Sequence, residues 1–239
     1  MKRILSLIFI FVFITILLSG CKCAPMEEQT GVAYGVVYND YVARVEVKAK
    51  DGKITNIIID EALMPSDWAM TDFKDEHDYV VDYNDKRYVK NVKIGDVTLS
   101  ANVNDNNLSW GNDKITSFGD YLKTGENAKW YYDSLKNNMV SIVDDTGQLI
   151  KDLKFNTTKM FKSAGDYWKK TDTTLGWDEN IKELIKGMIA TNLETEPTYN
   201  SDKKVTFGKT VTGATLTGYK EYYALAKKAL ENAKTSEKN

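Results

Sequence analysis

Cysteine occurs only twice in the 239 residues, at Cys21 and Cys23, and histidine once, at His77. Two thiols one residue apart cannot build a disulfide framework or hold an iron–sulfur cluster. The Cys-x-x-Cys-His run of a covalent c-type haem is missing. A single imidazole removes most His-based zinc sites and argues against a Ser-His-Asp triad. Nor is there a basic excess: 32 Lys and Arg face 34 Asp and Glu, and the formal charge is −2. A general nucleic-acid binder needs a cationic surface to neutralise phosphates, so that class is excluded. Three prolines and 11% aromatics do not suit a collagen-like or disordered chain. Asp51, Asp60, Glu61 and Asp67 are scattered over a hairpin and loop and read as solvated faces. The run Asn102–Asn107 lacks the ligand spacing of an EF-hand and reads as a polar turn. No metal site and no catalytic dyad is expected.

What the chain does have begins at its amino terminus. Lys2 and Arg3 precede an apolar run, Ile4–Leu18, broken only by Ser6 and Thr15, and Leu18-Ser19-Gly20-Cys21 follows. A positive start, a short apolar stretch and small residues before a cleavage point make a secretory signal. The run is shorter than the ~20 residues that span a bilayer. The pattern resembles a bacterial lipoprotein lipobox. That resemblance implies a signal peptide over 1–20 and lipidation of the Cys21 thiol by diacylglycerol, with palmitate as an acyl chain. The mature chain is then expected on the outer side of a cell membrane, held by lipid. Cys23 is left as a lone thiol beside the membrane.

Residues 21–30 read as a short tether. The pattern then turns to strands: Gly31–Tyr38, Tyr41–Ala49 with Ala43, Val45, Val47 and Ala49 alternating against charge, and Ile54–Asp60. Asn39-Asp40 and Asp51-Gly52-Lys53 supply the turns, so three strands form an antiparallel meander. Tyr79–Tyr83, Lys86–Ile94 and Asp96–Val103 read as further short strands, and 119–139 as a helix open to interruption at Gly125. Val140–Val143 and Leu149–Phe155 flank Asp144-Asp145-Thr146-Gly147 as a hairpin. Asp178 is the expected N-cap of a helix carrying Ile181, Leu184, Ile185, Met188 and Ile189 and ending near Asn192. A short strand, Lys203–Gly208, and an amphipathic helix, Tyr219–Ala233, complete the chain. The fold class is α+β, an antiparallel meander or half-barrel with packed helices. Residues 31–239 are read as one domain with a large central insertion at about 61–170.

Between the last strand and the last helix lies Lys209-Thr210-Val211-Thr212-Gly213-Ala214-Thr215-Leu216-Thr217. Small residues and hydroxyls ahead of a helix N-terminus let backbone N–H groups approach an anion, which the helix dipole favours. A Thr-rich turn that only caps the helix is the competing reading.

Thr212-Gly213-Ala214-Thr215, followed by Ala-Leu-Ala-Lys-Lys-Ala-Leu, resembles the carboxy-terminal signature of the FMN-binding domain family. That family includes the flavin-carrying subunits of sodium-pumping quinone reductase and Rnf-type complexes, and lipoproteins of extracellular electron transfer. The hairpin from Val45 through Asp51-Gly52-Lys53 to Ile58 is similar to the family's amino-terminal strand–turn–strand, and Thr174-Leu175-Gly176-Trp177 to its middle. The resemblance covers about 31–60 and 175–232. It implies that Thr215 carries FMN through a phosphoester placed by a flavin transferase, with Thr212, Gly213, Ala214, Leu216 and Thr217 around it. By placement between the two family-like segments, Leu175, Trp177 and Tyr199 are the candidates for ring contact. One position departs: the family's Asp, three residues before the motif, is Lys209 here.

FMN brings its own redox chemistry, so the scarcity of His and Cys is no obstacle. The expected function is a membrane-anchored flavoprotein that carries electrons in the cell envelope, a carrier more than a stand-alone enzyme. Its implied donor is a membrane partner such as a quinol-linked dehydrogenase, and no nucleic acid is involved. The alternative is a surface or binding lipoprotein that keeps the fold without flavin.

Overall fold

Alternation of small apolar and charged residues over 29–63 produces strands with two unlike faces. In the computed structural model, which describes residues 27–70, 80–104, 107–154, 168, 170–172 and 175–235, these strands are β1 (Gln29–Val37), β2 (Tyr41–Lys50) and β3 (Lys53–Leu63). They pair antiparallel in that order, with Ala33 opposite Val45 and Val45 opposite Ile59. Asp51 and Gly52 turn the second hairpin with φ of 52° and 74°, the left-handed pair that matches strand twist. β1 takes in Gln29 and Thr30, which the sequence assigns to the tether, and stops at Val37. Cys21, Cys23, His77 and Thr174 lie outside the described residues.

Among the described residues the first helix is a single turn, α1 (Pro65–Trp68), with no counterpart in the sequence reading. β4 (Val80–Tyr83) and β5 (Lys86–Val89) form a separate hairpin. β6 (Asn91–Ile94), β7 (Val97–Asn104), β8 (Asn107–Gly111), β9 (Val140–Val143) and β10 (Leu149–Leu153) form a five-stranded sheet in the order β10-β9-β6-β7-β8. The continuous strand expected over Lys86–Ile94 is thus two strands that join different sheets across Lys90. Of the polar loop expected at Asn102–Asn107, the described residues are strand: Asn102–Asn104 end β7 and Asn107 begins β8. Leu108 and Trp110 alternate inward against β7, and burying them outweighs the low strand preference of Asn.

The helix expected over 119–139 is divided into α2 (Phe118–Tyr121) and α3 (Gly125–Lys136), because two caps compete within it. Ser117 Oγ accepts from Asp120 N at 3.3 Å, and Thr124 Oγ1 from Asn127 N at 3.2 Å. The interruption therefore falls at Lys123–Thr124, and Gly125 is the first residue of the second helix. After it come α4 (Trp177–Ala190), a small sheet of β11 (Pro197–Tyr199), β12 (Val205–Phe207) and β13 (Thr210–Val211), and α5 (Tyr219–Thr235). Among the described residues every sheet pairing is antiparallel and no barrel closes, so the fold is α+β.

Two helices cover opposite faces of the meander. Gly31 and Gly35 face α5, and α5 meets them with Ala226, Ala229 and Ala233, all fully buried. A Cβ on Gly31 would stand 2.0 Å from the Ala229 carbonyl oxygen, so the backbones touch there. On the other face Tyr34 meets the Tyr132 ring of α3 at 5.6 Å, and Tyr132 donates to Asp60 Oδ2 at 2.9 Å. α3 also packs on β6, which makes one continuous core of meander and five-stranded sheet. Within it Trp68 Nε1 donates to Tyr131 Oη at 2.9 Å, and that hydroxyl donates to the Leu63 carbonyl. Glu61, expected on a solvated face, is fully buried, because its strand position faces the side that α5 covers.

Candidate functional site

The loop 212–218 continues the edge of the small sheet before it turns into α5. Val205 N donates to the Ala214 carbonyl at 2.8 Å, and Thr212 N to the Val205 carbonyl at 2.9 Å. This strand-like pairing imposes alternation. Thr212, Ala214 and Leu216 point inward, with exposures of 7%, 0% and 0%, while Thr215 and Thr217 face out. Thr212 is held by its own chemistry: Oγ1 donates to the Val205 carbonyl at 2.7 Å and accepts from Ala214 N at 3.2 Å. Of the two hydroxyls of Thr212-Gly213-Ala214-Thr215, that of Thr212 is turned inward, and the exposed residue is Thr215.

The side chains that hold this loop come from the first half of α4. Asn180 is fully buried, and its Oδ1 accepts from Thr215 N at 2.7 Å and from Thr215 Oγ1 at 3.1 Å. Its Nδ2 donates to the carbonyls of Leu175 at 2.9 Å and Gly176 at 3.1 Å. Exchanging O and N would set donors against donors and acceptors against acceptors, so the network fixes the amide's orientation. One turn on, Glu183 Oε2 accepts from Gly213 N at 3.1 Å while its other oxygen takes Lys186. Lys186 first, and then the Gly213 amide, hold the Glu183 carboxyl below its ordinary pKa against a partial desolvation.

These contacts correct the expectation of a backbone cradle for an anion. The amides of Gly213, Ala214 and Thr215 are already bonded to Glu183, Thr212 and Asn180. Gly213 is small for a different reason than close approach of a phosphate: a Cβ there would stand 3.0 Å from Glu183 Cγ. The expected cap of α4 is displaced as well. Gly176 is the N-cap, without a side-chain hydrogen bond, and Asp178 lies in the first turn, where it pairs with Lys182 at 2.9 Å. The helix therefore starts two residues early, at the buried Trp177.

Two clefts meet at Leu175 and Gly213. The first, of about 670 Å³, runs between Ile57–Ile59 of β3 and the face of α4 that carries Ile181, Ile185 and Lys182. The second, of about 830 Å³, is lined by Lys170, Asp172, Tyr199, Lys203, Lys204, Thr215 and Thr217 among others. Its cations outnumber its carboxylates, which suits an anion. Tyr199 closes one side: its hydroxyl donates to the Thr215 carbonyl at 2.9 Å, and its ring stands 4.7 Å from Tyr219 in an edge-to-face pair. Desolvation raises the pKa of that phenol.

The structure thus brings Thr215, Thr217, Gly213, Leu175 and Tyr199 to one surface. Trp177 belongs to the wall of the first cleft and has no solvent-accessible surface. Lys209 sits exposed beside the Gly208 turn joining β12 to β13, outside the lining of both clefts. Sequence reasoning missed Asn180 and Glu183. The available signal was an asparagine, a poor helix former, in the first turn of an otherwise strong helix. Among the described residues, no group of His, Cys, Asp and Glu is placed to hold a metal ion, and no helix is long and apolar enough to cross a membrane. Comparison of the chain with protein-family models, curated proteins and solved structures finds no match.

Proposed function

We propose that this chain is a lipid-anchored flavoprotein of the cell envelope, with FMN joined through its phosphate to Thr215 Oγ1. One observation carries the reading: in a Thr-Gly-Ala-Thr loop, the last hydroxyl is held outward at the edge of a lysine-lined cleft. The residues present fit the group. Lys203 and Lys204 would offset the charge of a phosphodiester, and Thr217 offers a further hydroxyl. Leu175 and Tyr199 would give the ring system an apolar and an aromatic wall. With its loop amides already bonded, the protein suits an attached phosphate better than a freely dissociating one.

FMN, once attached, supplies one- and two-electron transfer, and the chain's own residues fix, neutralise and shield it. Such a protein is a carrier between a membrane donor, for example a quinol-linked dehydrogenase, and an acceptor in the envelope. Lys209, where the family resembled has Asp, favours a second reading, a binding lipoprotein without flavin.

Co-expression with a flavin transferase, Mg²⁺ and a flavin dinucleotide separates the two. The flavoprotein reading expects an intact-mass gain of one FMN minus water and in-gel fluorescence after denaturation. Thr215→Ala is expected to lose both, whereas Thr217→Val keeps them. An unmodified wild-type chain, even with its own host's transferase, overturns the covalent assignment.

A further inference from the structure

We propose that Asn180 is a positioning residue for modification of Thr215: its side-chain amide ties the start of α4 to the loop and turns the Thr215 hydroxyl so that its lone pairs face the cleft. This inference rests on the flavin reading above and adds to it the residue that prepares the acceptor. The geometry is two-sided. Oδ1 takes both polar hydrogens of Thr215, at 2.7 and 3.1 Å, and Nδ2 gives its two hydrogens to the carbonyls of residues 175 and 176. A buried amide with all four of these bonds has one orientation. Because Asn180 is fully buried and Thr215 exposed, the hydroxyl hydrogen is directed into the protein and the lone pairs outward.

Ester formation in water needs an activated phosphoryl donor, and the pyrophosphate of a flavin dinucleotide is one. Thr215 Oγ1 forms a bond to the flavin-side phosphorus, and the bond from that phosphorus to the bridging oxygen breaks. AMP leaves with the electron pair, and the Thr215 proton passes to a base of the transferase or to water. Phosphoryl transfer has a loose transition state, so the nucleophile needs an aligned lone pair more than early deprotonation. Asn180 is an amide and takes no proton. Its part is alignment, and a misplaced nucleophile costs about a hundredfold in rate.

The test is loading of the full-length protein by purified transferase with flavin dinucleotide and Mg²⁺, followed by intact mass. For Asn180→Ala the expected result is a kcat lower by about a hundredfold, with KM for the protein substrate within about twofold. Tyr131→Phe, destabilising but remote from the loop, is the control and is expected to load like wild type. In the unloaded proteins, hydrogen exchange at the Thr215 amide is expected to speed up in Asn180→Ala relative to the amides of β2. Asn180→Ala loading at the wild-type kcat, or unchanged Thr215 exchange, overturns the assignment. Failure of wild type itself to load overturns the flavin reading instead, so the two failures are distinct.

Discussion

Gly187→Ala sets two effects of opposite sign against each other at the back of the site. In a helix interior, alanine is favoured over glycine by about 1 kcal/mol, so propensity alone makes the variant more stable. The new Cβ would, however, stand 2.3 Å from Cδ2 and Cε2 of Phe207 and 2.8 Å from Thr212 Cγ2. Carbon atoms pack at about 3.5–4.0 Å, so roughly an ångström or more has to open on two sides. Neither neighbour has room, since Phe207 is 2% and Thr212 7% exposed. Overpacking of this kind costs about 1–3 kcal/mol, and with two walls displaced the upper half of that range applies. The net expectation is a loss of about 1–2 kcal/mol, read as a fall in Tm of roughly 2–8 °C for a chain of this size. Urea unfolding of the purified protein measures it directly. A variant as stable as wild type, or more so, refutes the close docking of α4 on β12 and with it the rigid support claimed for the loop.

Tyr131→Phe removes a buried hydroxyl that joins Trp68 to the Leu63 carbonyl, with an expected cost of about 1–3 kcal/mol in the same assay. Gly213→Val drives a branched side chain into Glu183, so loss of flavin loading is expected, and normal loading counts against the loop packing. The Glu183 carboxyl has a depressed pKa when folded, so its contribution is present above the unfolded carboxylate range and is lost as pH falls through the folded value. The protection of the Gly213 amide relative to its intrinsic exchange rate is therefore expected to fall on acidification in wild type, and to lose that dependence in Glu183→Gln. Cys21→Ala is expected to leave the protein soluble or as uncleaved precursor, and normal processing with membrane retention counts against the lipid anchor.

The meander was legible because its signals are local: strict alternation through Ala43, Val45 and Val47, and an Asp-Gly turn. The five-stranded sheet was less so. β8 hides in a run of asparagines, and its inward Leu108 and Trp110 gain their meaning only from β7, with which they pair. Lys90 separates two sheets without any punctuation that a sequence displays. At the site, the Thr-Gly-Ala-Thr loop stood out by composition, yet its use was read from the wrong helix. The turn precedes α5 in sequence, but α4, some thirty residues earlier, supplies the atoms that hold it: Asn180 lies 35 positions from Thr215, and Glu183 lies 30 from Gly213. Contacts at that separation leave no periodicity to find.

The glycine face of β1 also bears on how the chain reaches this structure. β1 lies at the start of the described residues and its covering helix near their end; Asn232 Nδ2 reaches the Val32 carbonyl at 2.8 Å across 200 positions. At about 5–20 residues per second, synthesis separates the two segments by roughly 10–40 s. Until α5 is available, the face made of Gly31, Ala33, Gly35, Val45 and Val47 lacks its lid. Pairing so distant in sequence also slows the search itself, since loop closure precedes any gain from contact. Sustained occupancy by a holding chaperone until Ala226–Ala233 are free to dock is the kinetic signature that this packing arrangement implies.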